Sequence, residues 1–534
     1  MALTACSDYL NPEITEAIRP EKFYNTENQI EQAMVGLYRS IYNFPKYRFI
    51  MSECRSDNVW CETADKTTGQ YQIVYFLNSL LADNSLLLEA WQDYYISIAT
   101  ANAILDRIDD VSFSNEEYKN EYKAEARFIR ALAYFELVRF FGNVPMTDRS
   151  LTPQESLTVP QSTAKEVYEK MIVPDLEYAA ENLLDTPTRY DGDTDAATGR
   201  ATKVAAKALL GEVYLTMSGF PINDTSKKEL AKNLFLEVVN YANETGKFKV
   251  ANIDDWRKMW VHENDNKYFI FEVQFAMDLN YGVGNTVTRW SVAGWGGSTS
   301  YYGGFGKQTD ADDGCMPFVN PALRAHFLEK DANGDYVDKR GPEVITIYSK
   351  NLDKDGNPKA LDPTSSNTCF YTKFWEHKAK REALGLTGDM WGGNSAYAST
   401  GYWPQNFPLI RLENIKLYLA EILGPTEGLP YLKEIRTVAG LDTDNNMDEE
   451  TFREAVENER RYELAEEGYR WFDLVRQNKW QTALKQMFIE YGETSTNEAL
   501  MGYAGNVQSF TYIYPIPTTQ LNAVVGLYKQ NPGY

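Results

Sequence analysis

One uninterrupted apolar stripe constrains this chain more than anything else in it. Tyr118, Tyr122, Ala126, Ile129, Ala133, Leu137 and Phe140 recur at steps of three and four. Only an α-helix puts such residues on one face, so the spacing predicts a long amphipathic helix that must pack against neighbours. Ser114 and Glu117 precede it in the pattern of a capping box. Gly142 and Pro145 follow it as stop signals. Thr163 and Glu166 repeat the starting pattern.

Helical patterns of this kind fill the chain from residue 31 to about 245. Leu210-Gly211-x-x-Tyr214 and Ala231-x-x-x-Phe235 match the two helices of a tetratricopeptide repeat, with extra residues between them. An ordinary helical hairpin with a small residue at the crossing explains them equally well. Residues 246–408 differ: Gly, Asn, Asp, Pro and aromatics crowd together, and Tyr268–Val273 reads as a short strand. Helices resume in 409–534 with RLENIKLYLAEIL, LPYLKEIRTVAG and a long helix expected near 449–479. Residues 1–30 are polar and Pro-punctuated after the first few, as in an extended tether.

Composition excludes several chemistries. Asp and Glu total 76 against 53 Lys and Arg, a net charge of −23, which disfavours nucleic acid and anionic membrane surfaces. The three His (His262, His326 and His377) lie far apart, and no zinc, P-loop or serine-hydrolase motif is present. No metal or other cofactor is expected. Asp191-Gly192-Asp193-Thr194-Asp195 and Asp442-x-Asp444-x-Asn446 alternate like calcium loops but lack the Gly and Glu of an EF-hand, and read as solvated turns. Leu3-Thr4-Ala5-Cys6 has the shape of a bacterial lipoprotein cleavage box, which would make Cys6 the lipidated residue. Taken alone, the four residues also fit a chance match. The other Cys (Cys54, Cys61, Cys315 and Cys369) pair or remain thiols; spacing does not decide.

The stretch ENERRYELAEEGYRWFDLVRQNKW at 457–480 follows EIRTVAGL and precedes YPIPTTQLNAVVGLYKQNPGY. With CSDYL at the start and LIRLENIKLYLAEI at 409–422, it resembles the SusD/RagB family of outer-membrane nutrient-binding lipoproteins, from Cys6 to Tyr534. The resemblance implies a mostly α fold: four degenerate tetratricopeptide-like hairpins plus a loop-rich, variable subdomain with a few short strands. It implies lipidation at Cys6 and an outer-membrane, extracellular-facing location, with the lipid as the only membrane contact. It also implies a partner, a SusC-like TonB-dependent transporter that the protein caps as a lid, and a glycan ligand. Within the signature, Glu466 with Arg470 and Asp473 with Arg476 are spaced as helical ion pairs, and Gly468 reads as a close-packing point. This is a structural reading rather than an active site.

Neutral glycans offer C–H faces and hydroxyls but no charge. Aromatic rings stack on the former and forked polar groups bond the latter. YGVGNTVTRWSVAGWGGSTSYYGGFG at 281–306 supplies Arg289, Trp290, Trp295, Tyr301 and Tyr302 on a Gly-rich backbone. WGGNSAYASTGYW at 391–403 supplies Trp391 and Tyr397, with Tyr402 and Trp403 beyond. Asp57, Asn58 and Trp60 form a third candidate group. The alternative is that these rings anchor long loops. Two other readings compete with glycan capture: a glycoside hydrolase, for which no carboxylate pair stands out, and a helical scaffold that serves another nutrient.

Overall fold

The computed structural model describes residues 23–60, 81–187, 199–261, 267–275, 284–287, 318–352, 358–360, 369–374, 378–386, 405–494 and 503–534. Helices dominate, as the periodicity requires. The main ones are α1 (Glu27–Ser40), α2 (Ser85–Leu105), α3 (Glu116–Phe141), α4 (Val173–Asn182), α5 (Lys203–Ser218) and α6 (Lys227–Thr245) in the first half. In the second half they are α7 (Leu412–Glu427), α8 (Leu429–Val438), α9 (Glu449–Glu463), α10 (Arg470–Arg476) and α11 (Trp480–Thr494). α1 begins inside the stretch read as tether.

Each of α1 to α6 packs on the next in sequence, α6 packs on α7, and α7 holds α8 and α9. The row therefore closes through a contact between helices that the loop-rich middle separates in sequence. α3 shows why. The stripe from Tyr122 to Phe140 is buried as expected, but α2 and α4 flank it on both sides. From Phe128 to Phe141 every residue of α3 is consequently buried, Arg130, Glu136 and Arg139 included. Those charges are matched: Arg130 binds Asp175 at 2.7 and 2.8 Å, and Glu136 receives Arg48 and Arg139 at 2.9 and 2.6 Å. Burying an unmatched charge would cost far more than the helix gains.

The caps divide. Gly142 ends α3 at φ +71 with its N–H on Val138 O, and Thr163 and Glu166 form their capping box. The Ser114 expectation is corrected: Asn115 is the N-cap, its Oδ1 accepting Glu117 N–H at 2.9 Å, while Ser114 N–H turns to the Glu27 carboxylate. In the α5–α6 hairpin, Gly211 lies under the Phe235 ring, where a Cβ would come within 2.5 Å. The small residue is what allows the two helices to approach.

The strands are short: β1 (Val59–Trp60), β2 (Val144–Pro145), β3 (Gln161–Ser162), β4 (Phe269–Val273), β5 (Phe318–Val319), β6 (Ile345–Leu352), β7 (Pro358–Ala360), β8 (Cys369–Tyr371) and β9 (Phe407–Arg411). β1 pairs with β5, β2 with β3, β4 with β9, and β6 lies between β7 and β8. All pairs are antiparallel. β4 and β9 are buried along their whole length, and β9 runs directly into α7.

The expected helix at 449–479 is two helices. Between α9 and α10 the chain turns sharply, with Glu466 at φ +72 and Gly468 at φ +77. A Cβ on Gly468 would sit 2.5 Å from the Arg48 carbonyl oxygen. The close packing read from the sequence is there, but at a left-handed turn rather than inside a helix.

Candidate functional site

The site is built on the turn that follows the first helical segment. Glu53–Arg55 forms a 3-10 turn, and Asn58 sits at its exit with its N–H on Ser56 Oγ (3.1 Å). Every other polar group of Asn58 is also engaged. Nδ2 donates to Glu53 Oε1 (2.8 Å), and Oδ1 accepts from Arg461 Nε (2.7 Å). The backbone carbonyl accepts from Asn320 N–H and Tyr371 O–H, both at 2.9 Å. Asp57 is gripped by Arg470 through Nε (2.7 Å) and an η-nitrogen (2.9 Å), with Arg461 beside it. Burial opposes ionisation of Asp57, but the two guanidiniums outweigh it and hold the carboxyl far below the usual range. β1 leaves this knot and pairs with β5, Val59 opposite Val319 and Trp60 opposite Phe318.

A second knot lies beyond β4. Phe275 N–H donates to Asn406 Oδ1, and Asn285 Nδ2 donates to Gln405 O, both at 2.9 Å. β4 pairs with β9 just below, with Val273 opposite Phe407. The segment Tyr371–Phe374 ties the two knots together. Tyr371 bonds Asn58 at one end, and the Phe374 ring stacks on Phe407 at the other, with centroids 5.0 Å apart.

Beneath both lies the charge lattice of the C-terminal signature. Arg340 binds Asp338, Glu459 and Glu463; Arg411 binds Glu413, Glu463 and Glu467; Lys373 Nζ binds Glu467 at 2.9 Å. Burial pushes Glu463 up, but Arg411 and Arg340 prevail and hold it below the usual carboxylate range. Arg340, Arg411, Glu459 and Glu463 are at most 1% exposed, so no polysaccharide reaches them. Glu53 spans the upper edge, its two oxygens taking the N–H groups of Glu466 and Gly468. Asp473 and Arg476 pair as expected at 2.9 Å. Glu466 and Arg470 do not: Glu466 accepts Lys373 N–H, and Arg470 goes to Asp57. The sharp turn at Gly468 separates the two residues that a continuous helix would have brought together.

Two family models cover this framework. Residues 8–215 match a SusD-like model described as starch-binding and associating with the outer membrane. Residues 269–534 match the SusD family model. The chain belongs to the SusD/RagB family. A SusD-like protein of Formosa agariphila is 24% identical over 97% of this chain and 94% of its own length. One of Bacteroides ovatus is 23% identical over 92% and 82%. Among solved structures, a SusD homologue from Bacteroides thetaiotaomicron superposes with a TM-score of 0.72 at 22% identity, covering 99% of this chain and 100% of that one. A laminarin-binding SusD-like protein gives 0.69 at 24%, covering 96% and 100%. Surface glycan-binding protein A of Bacteroides fluxus gives 0.70 at 21%, covering 96% and 100%.

Within this SusD/RagB framework the sequence candidates separate. Asp57 and Asn58 are at most 7% exposed, with their side chains bonded to Arg470, Arg461 and Glu53. They hold the base of the loops rather than an open binding surface. The backbone of Trp60 is in β1; its side chain, like Arg289, Trp290, Trp295, Tyr301, Tyr302, Trp391, Tyr397 and Cys6, lies outside the described residues. The aromatic stretches nonetheless share their roots. The chain leaves the described framework at Trp60 and at Val287 and rejoins it at Phe318 and at Gln405. Trp60 pairs with Phe318, and Asn285 bonds Gln405. Sequence reading missed Asn285, Asn320, Tyr371 and Asn406 as positioning residues. For Asn320 and Asn406 the one local signal was an Asn beside a strand end, which is common in turns of every kind; Asn285 and Tyr371 carry no such signal. Cys54 is buried in the core. No helix among the described residues is long and apolar enough to cross a membrane.

Proposed function

We propose that this SusD/RagB member is a non-catalytic cell-surface glycan-binding lipoprotein. It is lipidated at Cys6, captures oligosaccharide with the aromatic stretches around Trp290 and Trp391, and delivers it to a SusC-like TonB-dependent transporter that it caps. The convergence of the loop roots carries this reading. Two stretches far apart in sequence, 281–306 and 391–403, each rich in rings and poor in charge, adjoin framework segments joined by the Trp60–Phe318 pairing, the Asn285–Gln405 bond and the Tyr371–Phe374 segment. A rigid base under several loops is the usual way to build a binding surface. Two fold neighbours, a laminarin-binding protein and a surface glycan-binding protein, support glycan as the ligand class.

The test is isothermal titration of the lipid-free protein against soluble polysaccharides, laminarin and starch among them, with reducing ends assayed in parallel. The expected result is saturable binding to one polysaccharide with no new reducing ends. Release of reducing ends would overturn the non-catalytic reading, and a blank panel would overturn glycan capture by the protein alone.

A further inference from the structure

One buried charge in the core has no opposite number. Arg55 ends the 3-10 turn beneath the loop roots and is 1% exposed. Four other arginines, at most 3% exposed, each hold a carboxylate: Arg48 has Glu136, Arg340 has Glu459, Arg411 has Glu463 and Arg460 has Asp473. Arg55 has no carboxylate within ion-pair distance among the described residues. Its surroundings are neutral. Nη2 donates to the Thr511 carbonyl. The guanidinium carbon lies 4.8 Å from the centre of the Trp471 ring and 3.9 Å from that of Tyr514. The hydroxyls of Tyr514 and Tyr534 stand beside it, already donating to the Met51 and Ile513 carbonyls at 2.9 Å. Burial raises both phenols, Tyr514 to about 12, so neither is an anion at neutral pH. Nε and Nη1 of Arg55 find no acceptor among the described residues. Nor do the indole N–H groups of Trp471 and Trp480, whose ring centres are 6.2 Å apart.

A guanidinium keeps its proton inside proteins. Ring faces return only part of the cost of taking that charge out of water. The chain thus brings together one uncompensated positive charge and a surplus of donors, with no carboxylate to meet them. We propose that Arg55 holds a buried monovalent anion of the halide class, chloride, beside Trp471, Trp480 and Tyr514. A single negative charge balances the guanidinium. The positive ring edges and indole N–H groups of the two tryptophans suit a weakly hydrated ion. Arg55, Trp471, Trp480 and Tyr514 are each at most 1% exposed, which favours an ion over a larger carboxylate. Arg55 stands two residues before Asp57, so the anion that neutralises it also steadies the turn on which the loop base is built.

The test is urea unfolding of the full chain in sodium chloride and in sodium gluconate at equal ionic strength. The unfolding midpoint should rise with chloride and saturate, as for a ligand bound by the folded state alone. Bromide should replace chloride. The Arg55→Met variant, which has no charge to balance, should have the same midpoint in both salts. A parent midpoint that ignores chloride, or an equal rise in parent and variant, would overturn the proposal. Crystals of the parent protein grown in bromide carry the test if Arg55→Met fails to fold. An anomalous peak within hydrogen-bonding reach of the Arg55 guanidinium is expected. Density there without anomalous signal would mean water, and peaks confined to the surface would mean an adventitious ion only; either result overturns the anion site.

Discussion

Arg470 closes a two-pronged grip on Asp57, with Nε and an η-nitrogen 2.7 and 2.9 Å from its two carboxylate oxygens. The two residues lie at opposite ends of the chain. Their bond fastens the exit of the first helical segment to the turn after α9, and β1 starts from that point.

Asp57→Asn should therefore cost about 2–3 kcal/mol at neutral pH, because it leaves two guanidiniums facing a neutral amide in a half-dry site. The sign with pH follows from the depressed carboxyl. A folded-state value below the unfolded one contributes stability above about pH 4 and loses it as the pH falls toward the folded value. Urea unfolding of both proteins should show a gap that is constant from pH 7 to 5 and narrows below about pH 4. A gap that stays constant to pH 3 would show that Asp57 acts through shape and not charge.

Gly468→Ala and Gly246→Ala have nearly the same φ, +77 and +71. At Gly246 nothing lies within 4 Å of an added Cβ; at Gly468 the Arg48 oxygen is 2.5 Å away. Gly246→Ala should cost about 1 kcal/mol for the left-handed conformation alone. Gly468→Ala should cost clearly more, and it should raise the protease sensitivity of the loops rooted at β1. Equal losses in the two variants would mean that the turn after α9 relaxes freely.

Arg340→Met removes the cation shared by Asp338, Glu459 and Glu463. A loss of about 3–5 kcal/mol is expected in chemical denaturation, the range for stripping one partner from a buried ion pair. A loss below about 1 kcal/mol would show that the three carboxylates take up protons at little expense.

Trp290→Ala and Trp391→Ala should each weaken polysaccharide binding by roughly three- to tenfold, the worth of one aromatic stacking contact. The far-ultraviolet circular dichroism should not change, because neither residue falls within the ranges of α1 to α11. Unchanged affinity in both variants would move the glycan surface away from these two stretches.

The helices were legible because their signals are local. The 3.6-residue stripe of α3, the Thr163–Glu166 box, the stop at Gly142 and the Gly211–Phe235 approach each need only a few neighbouring residues or one hairpin. The break between α9 and α10 was not legible. The sequence from Glu457 to Trp480 keeps helical charge spacing, and the turn at Gly468 is held by residues far away in sequence: Glu53 accepts the Glu466 and Gly468 N–H groups, and Ser52 Oγ donates to the Gly468 carbonyl. The Ser114 box failed for a similar reason: Asn115 competes for the same N–H group one residue later, and Glu27 draws Ser114 away.

By itself, then, the sequence determined that the chain is a mostly helical SusD/RagB protein with ring-rich, charge-poor stretches in its middle. These are properties of composition, period and motif, all readable along one strand of text. The tertiary structure alone decided that Asp57 and Asn58 anchor rather than present themselves. It also decided that Asn285 and Tyr371 belong to the base of the loops, and that the signature carboxylates are sealed by Arg340, Arg411 and Lys373. Buried polar groups must find partners wherever the fold brings them, and those partners come from hundreds of residues away.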